Sequence, residues 1–126
     1  MSKLIYVPLE HIEGRYTIHM DAAIEEYLNR ENIEYIKIMP TYDTPPLPEG
    51  QFLNSAFTSK FKALQMAEIS DMVERGVITD GDTFFFSDIW FPGIESIAYM
   101  KYFNKMDNLK ITGIIHAGSF TDTDFV

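Results

Sequence analysis

Four short apolar runs punctuate the chain, separated by longer segments whose apolar residues recur at helical spacing. Leu4-Ile5-Tyr6-Val7 is unbroken and stops at Pro8. Such runs suit strands buried on both faces, as in a parallel sheet. Tyr35, Ile36 and Ile38 mark a second run, Thr83-Phe84-Phe85-Phe86 a third, and Lys110 to Ile115 a fourth that ends at His116. The predicted strands lie at residues 3–8, 34–39, 83–87 and 110–116. Between them, Met20, Ile24, Tyr27 and Leu28 share one face of a helix. Phe57, Phe61 and Leu64, continued by Ile69, Met72 and Val73, stripe a second helix, with Asn54 or Ser55 as its cap and Gly76 just past its end. Pro92 suits the first turn of a third, marked by Ile94, Ile97, Ala98 and Phe103. The proline-rich stretch from Pro40 to Gly50 reads as a stiff surface loop.

Alternating strands and helices predict an α/β fold: a Rossmann-like half domain with a parallel sheet of about four strands flanked by helices. The 126 residues form a single domain. A 3-2-1-4 strand order is the expectation. Right-handed crossovers then put the first two helices on one face and the third on the other. The second face would be half bare and apolar. Two arrangements would cover it: a homodimer through that face, or a longer two-domain protein of which residues 1–126 are the N-terminal, acceptor-side part.

Composition narrows the partners. Ten Phe, seven Tyr and seven Met supply a core, and the absence of Cys excludes disulfides, a thiolate metal site and a Cys nucleophile. A net charge of −9 disfavours binding to nucleic acid through this domain alone. No apolar run is long enough for a bilayer, and the first residues lack the pattern of a signal peptide. A cytoplasmic location is the expectation.

Ligands of open parallel sheets bind beyond the carboxyl ends of the strands, at the point where strand order reverses. Under the 3-2-1-4 order that point lies between the first and fourth strands. The segments there, with the connection after the third strand, carry His11, Arg15, Tyr16, Asp88, Trp90, His116, Ser119, Asp122 and Asp124. His116 could act as a base or merely bond backbone at a strand end. Trp90 and Phe91 could stack on a sugar or base, or pack over the sheet edge. Arg15 could meet a phosphate or one of the acidic residues. Asp122-Thr123-Asp124 has the form of a short metal motif, but a helix cap is the favoured reading. No histidine spacing suits a metal, and neither a G-x-G-x-x-G nor a P-loop occurs. No metal and no bound cofactor are expected.

Several blocks resemble a known family. Phe52-Leu53, Lys62-Ala63, the run from Asp80 to Glu95 with Trp90-Phe91-Pro92-Gly93 at its centre, and Ile114-Ile115-His116-Ala117-Gly118-Ser119-Phe120 resemble the N-terminal half of glycosyltransferases encoded by bacteriophages. Gly14-Arg15-Tyr16-Thr17 is similar to the segment after that family's first strand. The resemblance implies a GT-B-like architecture, in which this domain holds the acceptor and a second domain holds the nucleotide sugar. It implies transfer of a sugar from a nucleotide sugar, as co-substrate, to a hydroxyl. His116 or Asp88 would deprotonate or orient that hydroxyl. Arg15, Tyr16, Trp90, Phe91, Gly118 and Ser119 would line the substrates. In a phage host's cytoplasm, a modified DNA base is one candidate acceptor. The isolated domain is expected to be inactive. The competing expectation is a non-catalytic Rossmann-like binding or interaction module that dimerises through the uncovered sheet face.

Overall fold

A computed structural model describes residues 2–10, 17–41 and 55–114. Strand β1 (Leu4–Val7) leads to helix α1 (Thr17–Arg30), β2 (Tyr35–Lys37), α2 (Ser55–Glu74), β3 (Thr83–Phe86), α3 (Ile94–Phe103) and β4 (Lys110–Gly113). All seven elements fall where the apolar patterning puts them, with strands up to a few residues shorter than expected. All strand pairs are parallel, so the fold is α/β, as expected.

The strand order differs from the expected one. It is β2-β1-β3-β4, not 3-2-1-4. The physical reason lies in strand composition. β3 is apolar at three of its four positions and takes a central place, where both faces need cover. The edge strands β2 and β4 carry Lys37 and Lys110, and charged residues suit edges.

This order also redistributes the helices. From β1 the chain steps to one side, then crosses back over β1 to β3 and continues to β4. Right-handed crossovers therefore put α1 on one face and both α2 and α3 on the other. Contacts agree. Ile5, Val7, Ile38, Phe84 and Phe86 form one core with Ile69 of α2, Ile97 of α3, and Ile78, Phe91, Met106 and Leu109. On the opposite face, α1 meets β1 and β2 through polar groups. The Tyr6 hydroxyl donates to Asp21 Oδ1 (2.7 Å), and Lys37 Nζ donates to Asp21 Oδ2 (2.7 Å) and Glu25 Oε2 (3.2 Å). Burial, reinforced by the Asp21 carboxylate, pushes the Tyr6 phenol well above its ordinary value, so it stays a donor.

Among the described residues, the half-covered face is thus the one under α1, not the one expected. Its β3–β4 half presents Thr83, Phe85, Lys110 and Thr112, by strand alternation from Tyr6. Lys110 and Thr112 are exposed. Among the described residues this strip is polar apart from Phe85, so the apolar surface anticipated for a dimer is not found there.

The three described helices end in the same way. Asn32, Gly76 and Lys105 adopt left-handed backbone (φ 55, 75 and 54°). Their N–H groups bond the carbonyls of Asn29, Val73 and Tyr102, and the next N–H in each case bonds one residue further back, at Leu28, Met72 and Lys101. That double closure satisfies carbonyls that the helix leaves open. At Gly76 the conformation carries no steric cost, and Asn32 tolerates it.

Candidate functional site

With β1 and β3 adjacent, and α1 and α2 leaving on opposite faces, the reversal of strand order lies between β1 and β3. The sequence-based expectation placed it between the first and fourth strands. The segments leaving the carboxyl ends there are Pro8-Leu9-Glu10 after β1 and Ser87-Asp88-Ile89-Trp90-Phe91 after β3. The first turns of α2 run alongside, because a crossover helix begins at the carboxyl edge of the sheet.

Asp88 stands on the β3 connection. Its Oδ1 accepts the Trp90 N–H at 3.0 Å, the bond of an Asx-type turn that fixes the loop. The Phe91 N–H bonds the Ile89 carbonyl at 2.9 Å, and the Ile94 N–H bonds the Phe91 carbonyl at 3.1 Å. These turns point Trp90 outward, where it is 54% exposed. Phe91 faces inward instead. Its ring lies 4.8 Å from that of Phe86 and belongs to the core, so it packs the sheet edge. Gly93 follows in a crowded place: a Cβ there would collide with Met66 and Phe91 side chains. Arg15, Tyr16, His116, Gly118 and Ser119, and with them Asp122 and Asp124, lie outside the described residues. Of the expected quartet of Arg15, Asp88, Trp90 and His116, the described structure therefore brings together Asp88 and Trp90.

A second set of residues occupies the same edge. Thr58, Lys62 and Gln65 sit four and then three positions apart, on one strip of α2. Gln65 Nε2 donates to the carbonyls of Pro8 (2.7 Å) and Ile38 (3.0 Å), pinning α2 to the ends of β1 and β2. The Thr58 hydroxyl donates to Glu10 Oε1 at 3.1 Å. Glu10 is 4% exposed and Lys62 is 6% exposed. Burial holds the Lys62 ammonium below the usual lysine value, against the opposing pull of the Glu10 and Asp88 carboxylates. Its Nζ lies 5.9 Å from the centre of the Phe91 ring. Glu10 Oε2 and Gln65 Oε1 are buried with no hydrogen-bond partner. Buried polar atoms are nearly always paired, with protein groups or with ordered water, so each of these two acceptors calls for a donor that the described residues do not supply.

Glu10, Lys62 and Gln65 are not among the site residues that the sequence singles out. A signal was present: polar residues at helical spacing interrupt the stripe that Phe57, Phe61 and Ile69 define. Leu64, expected in that stripe, is exposed instead, at 37%.

On the other side of β1, the Ser87 hydroxyl donates to the Tyr6 hydroxyl at 3.5 Å, tying the β3 connection to the Tyr6–Asp21–Lys37 network. Burial alone would depress the Lys37 ammonium, but Asp21 and Glu25 outweigh it and raise it. That network holds α1 against β1 and β2. No group of three His, Asp or Glu side chains with metal-ligand geometry occurs among the described residues. No described helix is long and apolar enough to cross a membrane.

No protein-family model, curated protein or solved structure matches this chain.

Proposed function

We propose that this chain is the acceptor-side domain of a GT-B-like glycosyltransferase, which transfers a sugar from a nucleotide sugar to a hydroxyl. The observation that carries the reading is the placement of Asp88 and the exposed Trp90 on the β3 connection, at the β1/β3 reversal, on the same edge of the sheet as the buried Glu10 and Lys62. That is where parallel sheets take their ligands. An indole face suits the apolar side of a sugar ring, and carboxylates accept hydrogen bonds from its hydroxyls. In this reading Asp88 orients or deprotonates the acceptor hydroxyl, with His116 as the alternative base. Arg15 meets the diphosphate of the donor, which a second domain supplies. The resemblance of Trp90-Phe91-Pro92-Gly93 and His116-Ala117-Gly118 to phage glycosyltransferases supports the same assignment.

The test is sugar transfer by the natural gene product that carries these residues, assayed with labelled nucleotide sugars and a panel of hydroxyl acceptors. Asp88→Asn keeps the oxygen that accepts the Trp90 N–H, so thermal unfolding should be unchanged. Turnover should fall by roughly 10²–10⁴-fold, the usual effect of losing a general base. Full turnover in both Asp88→Asn and His116→Ala, or losses that only follow their melting temperatures, contradicts the assignment. Saccharide binding with no transfer to any acceptor supports the non-catalytic module instead.

A further inference from the structure

Hydrogen-bond donors and acceptors at the head of α2 do not balance. Thr58 directs its hydroxyl hydrogen to Glu10 Oε1. Gln65 directs its amide hydrogens to two backbone carbonyls. Glu10 Oε2 and Gln65 Oε1 are left as buried acceptors without donors. Lys62 is the cation whose charge is felt with those of Glu10 and Asp88, and among the described residues no hydrogen bond or ion pair engages its Nζ. Thr58 and Lys62 are one helical turn apart, on the same strip of α2. Thr58 reaches one oxygen of Glu10, and Lys62 follows one turn along the same strip, facing that carboxylate's charge without a direct ion pair.

We propose, building on the acceptor-domain reading above, that Glu10 and Lys62 form a subsite for one hydroxyl of a neutral, polyhydroxylated acceptor. The hydroxyl donates to Glu10 Oε2 and accepts from Lys62 Nζ. It is a different hydroxyl from the one that reacts near Asp88. A hydroxyl donates and accepts at once, as a bridging water does, so a ligand hydroxyl can take that water's place and complete both partners. A phosphate is the wrong chemistry. It brings acceptors to a place already rich in them, and adds negative charge beside two carboxylates and one ammonium. A hydrocarbon leaves Glu10 Oε2 unpaired. Sites built to pair a hydroxyl discriminate strongly against analogues that lack it, so Glu10 and Lys62 would set acceptor specificity.

The intact chain, labelled with ¹⁵N and ¹³C, is titrated with D-glucose, D-galactose, D-mannose and, separately, inorganic phosphate, while the resonances of Glu10, Lys62, Asp88 and Trp90 are followed. At least one hexose should shift the Glu10 and Lys62 side-chain signals saturably, and phosphate should not. Glu10→Gln and Lys62→Met should each weaken that hexose roughly ten- to a hundred-fold, the worth of a hydrogen bond to a charged group. Each single change upsets the local balance of charge, so the double variant E10Q/K62M is the control for folding. It should keep a native spectrum and lose the hexose response. Phosphate acting more strongly than every hexose overturns the proposal, and so does a double variant that binds like the parent. If a hexose moves only Asp88 and Trp90, the subsite is wrong and the acceptor reading stands. If no hexose moves any of the four, the subsite is wrong, and the transfer assay decides the acceptor reading by itself.

Discussion

Truncating Phe86 to alanine is expected to lower the unfolding free energy by about 3–5 kcal/mol. Phe86 is buried on a central strand, with its ring 5.8 Å from that of Phe84 and 4.8 Å from that of Phe91. Its side chain faces the shared core of α2 and α3, so truncation opens a cavity among packed side chains. Cavities of this kind collapse poorly, and the lost contacts add to the lost transfer free energy. Tyr102 of α3 is the contrast. It is 74% exposed, and its truncation should cost less than about 1 kcal/mol. Urea unfolding followed by far-ultraviolet circular dichroism checks both. Equal effects would mean that β3 is not central.

The second large effect is expected at the opposite end of the sheet, at Asp82. Its side chain is fully buried and gathers three close donors: the Lys3 N–H (2.9 Å), Lys3 Nζ (2.8 Å) and the Thr79 N–H (2.8 Å). The Lys110 N–H bonds its carbonyl at 3.1 Å, so one residue joins the starts of β1, β3 and β4. Asp82→Ala strands these donors, and a cost of about 2–4 kcal/mol follows. Burial alone would raise this carboxyl, but the hydrogen bonds from Lys3 and Thr79 outweigh it and hold it below the ordinary aspartate value. A carboxyl depressed in the folded state contributes stability that is complete above its unfolded value, about 3.9, and is lost as pH falls through the folded value. The gap between parent and Asp82→Ala should therefore be constant near neutrality and shrink below about pH 4. Urea midpoints across that range measure it; a gap that widens in acid would show that the carboxylate is not the stabilising form.

Element positions were legible in the sequence because β1 and β3 are short apolar blocks bounded by Pro8 and by the Asp80-Gly81 turn. Strand order was not, because helix–strand alternation and right-handed crossovers are satisfied by both 3-2-1-4 and 2-1-3-4. What separates them is polarity: Lys37 and Lys110 mark edges, and Phe84-Phe85-Phe86 marks a centre. Helix faces were legible only where apolar residues carry them. On α1 the apolar stripe was expected to include Tyr27, yet Tyr27 is exposed and the buried line is Thr17, Asp21 and Leu28. Asp21 faces the sheet because Tyr6 and Lys37 meet it there. Hydropathy cannot register such pairing. The same blindness hid Glu10 and Lys62. On α3 the aromatic residues Tyr99, Tyr102 and Phe103 lie outside, clustered on one another, while Ile97 alone is fully buried. Asp88 and Trp90 were legible because they follow directly on a strand end, and parallel sheets bind at that edge whatever their strand order.

Trp90 offers the most direct measurement of the central claim, that the β1/β3 reversal is a saccharide site. It is the chain's single tryptophan, and it stands exposed on the connection that carries Asp88. Its fluorescence is therefore a reporter on that place and no other. Titration of the chain with acceptor sugars should change the emission saturably, and Asp88→Asn should weaken the response. Emission that stays constant up to the solubility of every sugar tried, or a response that Asp88→Asn leaves untouched, would contradict the account.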